Sequence, residues 1–175
     1  MNNELIKSAL GATRAIQEDV NMLWRPPADG MLSYREMVLP LSVFKGTRGY
    51  IEIVVNQING TYEKACYDAC AVMIRRLIET LIIEAFEQNN IVENIKNQNG
   101  ELLPLSELIG CVLKETRWNV SRNTTKVLKA LPDLKGIGDL SAHNRRFNAH
   151  RGDIDKMIPD IRTITQELLY IAKLK

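Results

Sequence analysis

The sequence predicts an all-α protein, a bundle of four or five main helices with an N-terminal helical arm. Apolar residues recur at three- and four-residue steps in several separate segments, which is the period of an amphipathic helix. Sustained strand alternation is missing, apart from a short candidate piece within residues 31–45. The chain of 175 residues is 45% hydrophobic and 25% charged, and it shows no internal repeat. That composition suits an ordinary globular domain with its own core, and the length suits one domain.

Residues 1–20 carry the first helical pattern, with Leu5, Ala9, Ala12, Ile16 and Val20 on one stripe. Pro26, Pro27, Gly30, Pro40, Gly46 and Gly49 then break the chain. The apolar content of this stretch, Trp24 to Phe44, is too high for a free linker, so residues 1–46 are expected to pack on the body or on a partner. The body is residues 47–175. Ile51, Val54, Val55 and Ile58 make a helical stripe, and Asn59-Gly60 is expected to end it. A long helix is expected over 61–88, burying Tyr62, Cys66, Ala69, Cys70, Met73, Leu77, Leu81 and Ala85. Asn97-Gln98-Asn99-Gly100 reads as a turn. Pro104 can open a helix over 105–116 with Leu105, Leu108, Ile109 and Val112 inward. Ser121 can cap another over 122–131. Gly152-Asp153 precedes the last helix, whose stripe is Ile154, Met157, Ile158, Ile161, Ile164, Leu168 and Ile171. Pro159 falls inside that pattern, where a kink is expected.

Composition excludes several classes of function. No apolar run approaches the roughly 20 residues of a membrane-spanning helix. Charges interrupt the first 20 residues, which argues against a secretory signal. Three cysteines, an odd count, argue against a disulfide framework and favour a reducing, cytoplasmic setting. Cys66 and Cys70 fall in an apolar stripe and Cys111 is remote, so buried thiols are expected rather than metal ligands. A phosphate-cradling glycine loop is missing, and no cofactor is expected.

The net charge of +2 hides an asymmetry. Residues 114–151 hold nine basic side chains against three acids, Glu115, Asp133 and Asp139, which makes this window +6 and the rest of the chain −4. Both histidines, His143 and His150, lie in the window. A clustered basic face attracts phosphates and releases their counterions. Trp118 and Phe147 can stack bases or sit in the core, and core is favoured for Phe147.

The window's last part, Gly138-Asp139-Leu140-Ser141-Ala142-His143-Asn144-Arg145-Arg146-Phe147-Asn148-Ala149-His150-Arg151, is dense in chemistry. Histidine gives and takes protons near neutral pH, and arginine holds a phosphate through parallel hydrogen bonds. Metal-independent RNA cleavage needs such groups: a base for the 2′-hydroxyl, a cation for the charged phosphorus and an acid for the leaving oxygen. A basic loop with one structural histidine has the same composition.

Tyr62-Glu63-x-x-Cys66-Tyr67-Asp68-Ala69-Cys70 followed by Arg75-Arg76-Leu77-Ile78-Glu79 resembles the first long helix of the HEPN superfamily. Gly138-Asp139-x-Ser141-Ala142-His143-Asn144, with Asp153-Ile154-Asp155 after it, is similar to the C-terminal signature of an uncharacterised bacterial branch of that superfamily. The resemblance covers roughly residues 47–175. It implies a small helical bundle that forms homodimers and associates with RNA. In the family's active subset it implies a metal-independent endoribonuclease working in bacterial defence or toxin–antitoxin systems.

Carried onto this sequence, the resemblance offers His143 or His150 as acid/base and Arg145 or Arg146 as the phosphate-stabilising cation. Aligning His143 as the motif histidine puts Gly138 where the arginine is expected, while Arg145 to His150 supplies an arginine and a histidine in a second register. Lys135, Asn144, Arg145, Arg146, Arg151 and Arg122 are the candidate RNA contacts. Arg76, Glu79 and Asp139 are candidate supports for the histidine turn, although Arg76 and Glu79 also suit an ordinary surface pair. Three readings stand: an RNA-associated dimeric module using the 114–151 face, a ribonuclease, and a protein-interaction scaffold using residues 21–45.

Overall fold

A computed structural model describes residues 37–118, 120, 121, 124–126, 128 and 148–175. The chain divides into two compact units, Met1–Met31 and Leu32–Lys175, and every described residue belongs to the second. The expected first helix, the Gly136–Gly138 approach and the His143 turn lie outside the described residues.

The described architecture is all-α. Its helices are α1 (Leu41–Phe44), α2 (Gly49–Glu63), α3 (Tyr67–Gln88), α4 (Leu105–Lys114) and α5 (Arg151–Ile171), with a 3-10 turn at Val92–Ile95. Thr124, Thr125, Lys126 and Leu128 are also helical. The sole strand-like pairing among the described residues is one antiparallel bridge, Lys96 to Leu102, closed by the Asn97–Gly100 turn. Gly100 supplies that turn with φ of 79°.

Helix α3 is central and packs against α2, α4, α5 and the 3-10 turn. Its buried set is accordingly wider than one stripe: Ile74, Leu77, Ile78, Leu81, Ile82, Ala85 and Phe86 are all shut from solvent. Side-chain bonds at both ends fix its direction relative to α5. Asp68, in the first turn of α3, accepts the Ala149 N–H at 3.0 Å, just ahead of α5. Asn89, at the end of α3, donates to the Ile171 carbonyl at 3.0 Å, at the end of α5. The two long helices therefore run parallel.

Residues 37–45 differ from the expected strand piece. Leu41–Phe44 is a single helical turn, and Val38, Leu39 and Phe44 join the main core. Two side chains replace a strand partner for this backbone. Asn59 of α2 accepts the Leu39 N–H at 3.0 Å and donates to the Leu39 carbonyl at 2.8 Å. Arg162 of α5 donates to the carbonyls of Val38, at 2.8 Å, and Met37.

The break between α2 and α3 also differs from expectation. Helix α2 runs through Asn59-Gly60 to Glu63, because Asn59 faces Leu39 and Tyr62 adds a further buried turn. The stop is Ala65, at φ 57°. Cys66 N–H bonds the Thr61 carbonyl at 2.8 Å and Ala65 N–H bonds that of Tyr62 at 3.0 Å, a Schellman closure. Helix α3 thus begins at Tyr67 rather than at 61, which leaves Cys66 and Ala69 exposed instead of buried. Cys70 is buried as expected, and burial pushes its thiol up to about 12.

The other elements follow their sequence signals. Leu105, Leu108, Ile109 and Val112 of α4 are buried after Pro104. Ser121 accepts the Thr124 N–H at 3.1 Å through its hydroxyl, as a capping residue does. Helix α5 passes through Pro159 without ending.

Candidate functional site

The described end of the histidine segment is Asn148-Ala149-His150-Arg151. It enters where the C-terminal end of α2 and the N-terminal ends of α3 and α5 meet. His150 is the residue before α5 and is exposed. Its N–H donates to the Asp153 carboxylate at 3.0 Å, the reciprocal arm of a capping box. Asp153 also suits the positive end of the helix.

Arg151 and Asp155, one turn apart on α5, form an ion pair at 3.5 Å. Tyr62 joins them. Its hydroxyl donates to Asp155, and the Arg151 guanidinium stands 5.8 Å from the centre of its ring. Tyr67 meets the same ring edge-on at 5.8 Å. Tyr62 is only 3% exposed. Burial first, then the bond and negative charge of Asp155, push its hydroxyl up to about 12. This phenol therefore holds its proton and acts as a hydrogen-bond donor, not as a base. With Met37, Ile158, Pro159 and Arg162 the trio borders an open cavity of about 290 Å³.

The arrangement anchors the segment. Asp68 fixes the backbone at Ala149, Tyr62 bonds Asp155 one turn into α5, and Arg151 is engaged by a carboxylate and an aromatic face. Arg151, a candidate RNA contact in the sequence, is half-buried here, paired with Asp155 and set over the Tyr62 ring. The residue types behind this cluster were visible in the sequence. Its convergence was not, because Tyr62 and Asp155 stand 93 positions apart. The signal available was an acid near the start of α5 and a tyrosine at the end of an apolar stripe.

The remaining candidates are placed as follows. Arg76 is exposed and Glu79 half-buried, both midway along α3. Lys135, Asp139, His143, Asn144, Arg145, Arg146 and Arg122, and with them Gly138, lie outside the described residues. Arg117 is exposed and grips Glu115 through two bonds of 2.7 and 2.6 Å. This pairing holds the Glu115 carboxyl down at about 2 and raises Arg117. Trp118 is half-buried and packs edge-on against Phe86, with centroids 4.7 Å apart.

Two features carry no sequence expectation. Glu84 of α3 is buried, with Arg48 at 3.5 Å as its counter-charge. Glu167 of α5 accepts both the N–H and the hydroxyl of Ser121, tying α5 to the helical turn that Ser121 caps. Among the described residues no group of His, Cys, Asp and Glu is placed to hold a metal ion, and no helix is long and apolar enough to cross a membrane. No family model, no characterised protein and no solved structure matches this chain.

Proposed function

We propose that this domain is a HEPN-like, RNA-associated module that works as a homodimer and binds through its basic face at 114–151. The observation that carries the reading is the charge of +6 gathered in that window while the rest of the chain is −4. Arg117, Lys126 and His150 are exposed members of it. Such a face binds phosphates of any sequence, and its strength falls with salt. The family resemblance supports RNA as the polyanion, and a bacterial defence or toxin–antitoxin setting.

One observation favours a second reading, a metal-independent endoribonuclease. His150 is exposed next to Arg151, and the anchoring of Ala149 by Asp68 holds its position firm. In that reading His150 or His143 moves the proton of the RNA 2′-hydroxyl, and Arg145 or Arg146 stabilises the phosphate. The scaffold reading is the weakest of the three, because Val38, Leu39 and Phe44, within the proposed protein-binding stretch, are buried in this chain's own core.

The test is a gel shift and a cleavage assay on total bacterial RNA in EDTA, with the wild type, His143→Ala and His150→Ala. Binding without cleavage by a dimeric wild type is the expected result. Cleavage lost in one variant would instead establish the enzyme and identify its histidine. A folded protein that neither shifts nor cuts RNA contradicts both readings.

A further inference from the structure

At the C-terminal end of α5, away from His150, an open groove of about 400 Å³ is lined by Arg117, Trp118, Glu167, Tyr170, Lys173 and Lys175, with Ile171 at its apolar edge. Helix α5 has 21 residues, so this groove lies roughly 30 Å from the anchored end of the histidine segment. Only Arg117 and Trp118 of this lining belong to the basic window read from the sequence; Tyr170, Lys173 and Lys175 fall outside it, as do Glu167 and Ile171.

Its two aromatic rings differ in a useful way. Trp118 is held in place by Phe86 and forms a fixed apolar wall. Tyr170 is 76% exposed, the most exposed large apolar side chain among the described residues. A flat ring left in water beside cations offers a stacking surface with charges at phosphate reach. The acid in the groove is occupied: Glu167 is bonded by Ser121. The end of α5 is also muted electrically. Leu174 N–H bonds the Leu169 carbonyl and Lys173 N–H that of Tyr170, both at 3.0 Å, so the last carbonyls that would repel a phosphate are satisfied. Arg117, gripped by Glu115 through two of its five donors, keeps a fixed plane and further N–H groups to offer.

We infer that this groove holds an unpaired stretch of RNA, with one base stacked on Tyr170 and the flanking phosphates on Lys173 and Arg117, while Lys175, whose ammonium donates to the Lys45 carbonyl, adds positive charge at the edge. The inference rests on the RNA reading above and adds to it a preference for single strands. A base inside a duplex is already stacked on both faces and cannot lie on a protein ring, whereas an unpaired base can.

Fluorescence anisotropy on the full chain tests it, using a labelled single-stranded RNA of about ten nucleotides and the same sequence annealed to its complement. Tyr170 is exposed, so Tyr170→Ala and Tyr170→Phe are expected to leave the core intact, with circular dichroism as the control. The expected result is tighter binding of the single strand, weakened about ten-fold by Tyr170→Ala and retained by Tyr170→Phe. Single-strand binding that is equally tight in Tyr170→Ala overturns the inference while leaving the RNA reading in place, as does a preference for the duplex. A folded wild type that binds neither RNA overturns the reading on which the inference rests.

Discussion

Tyr62 shows how one side chain can register three helix ends. It closes the buried face of α2, donates to Asp155 on α5 and meets Tyr67 at the start of α3. Its proton is held because the surroundings disfavour the phenolate, so its pKa rises from 10.0 to about 12. The sign of the pH effect follows. Below pH 10 the folded and unfolded states both carry the proton, and the contribution is complete. Between pH 10 and about 12 the unfolded chain releases the proton while the folded one keeps it, so stability falls as pH rises. Tyr62→Phe is expected to lower stability near neutral pH by about 1–2 kcal/mol and to flatten the fall above pH 10. Urea unfolding of both proteins across that range measures it. Parallel curves for the two would show that Tyr62 does not titrate in this way.

At the scale of elements, the stops were harder to read than the stripes. The buried positions of α4, and most of those of α2 and α5, follow from apolar spacing alone, since a helix must turn those residues inward. The end of α2 does not. Asn59-Gly60 has the composition of a stop, yet Asn59 is recruited by Leu39, 20 residues earlier, and the helix continues. The real stop is an alanine in the left-handed region, a role that sequence rules reserve for glycine or asparagine. The same Schellman closure ends α3 at Asn90, φ 56°, and α5 at Lys173, φ 54°. Of these three, Asn90 alone fits the usual composition. At Ala65 the side chain is strained by its backbone, so Ala65→Gly is expected to stabilise the fold by about 0.5–1 kcal/mol, net of the extra freedom glycine gives the unfolded chain. Denaturant midpoints measure it. A lower midpoint would mean that the Ala65 methyl contributes more by packing than its backbone loses by strain.

For the molecule as a whole, class and core were legible because periodicity reports burial directly. The parallel pairing of α3 with α5 was not. It is set by Asp68 with Ala149 and Asn89 with Ile171, contacts 81 and 82 residues apart that leave no local signal. The basic window was legible as charge, and its two ends prove to lie at opposite ends of α5: His150 where three helix ends meet, and Arg117 with Trp118 at the groove below Tyr170. Tyr170, Lys173 and Lys175 are not legible as part of that window, because in sequence they stand at the end of the last helix and beyond it and join Arg117 only in the fold. Of the catalytic candidates only His150 is among the described residues, so the proposed RNA reading rests on charge rather than on a convergent pair. That makes ionic strength the most direct probe. Equilibrium binding of single-stranded RNA, followed from about 50 to 200 mM salt, is expected to weaken about ten-fold or more, as for some three phosphate contacts. No binding by the folded protein at the lowest salt, or binding indifferent to salt, would contradict the account.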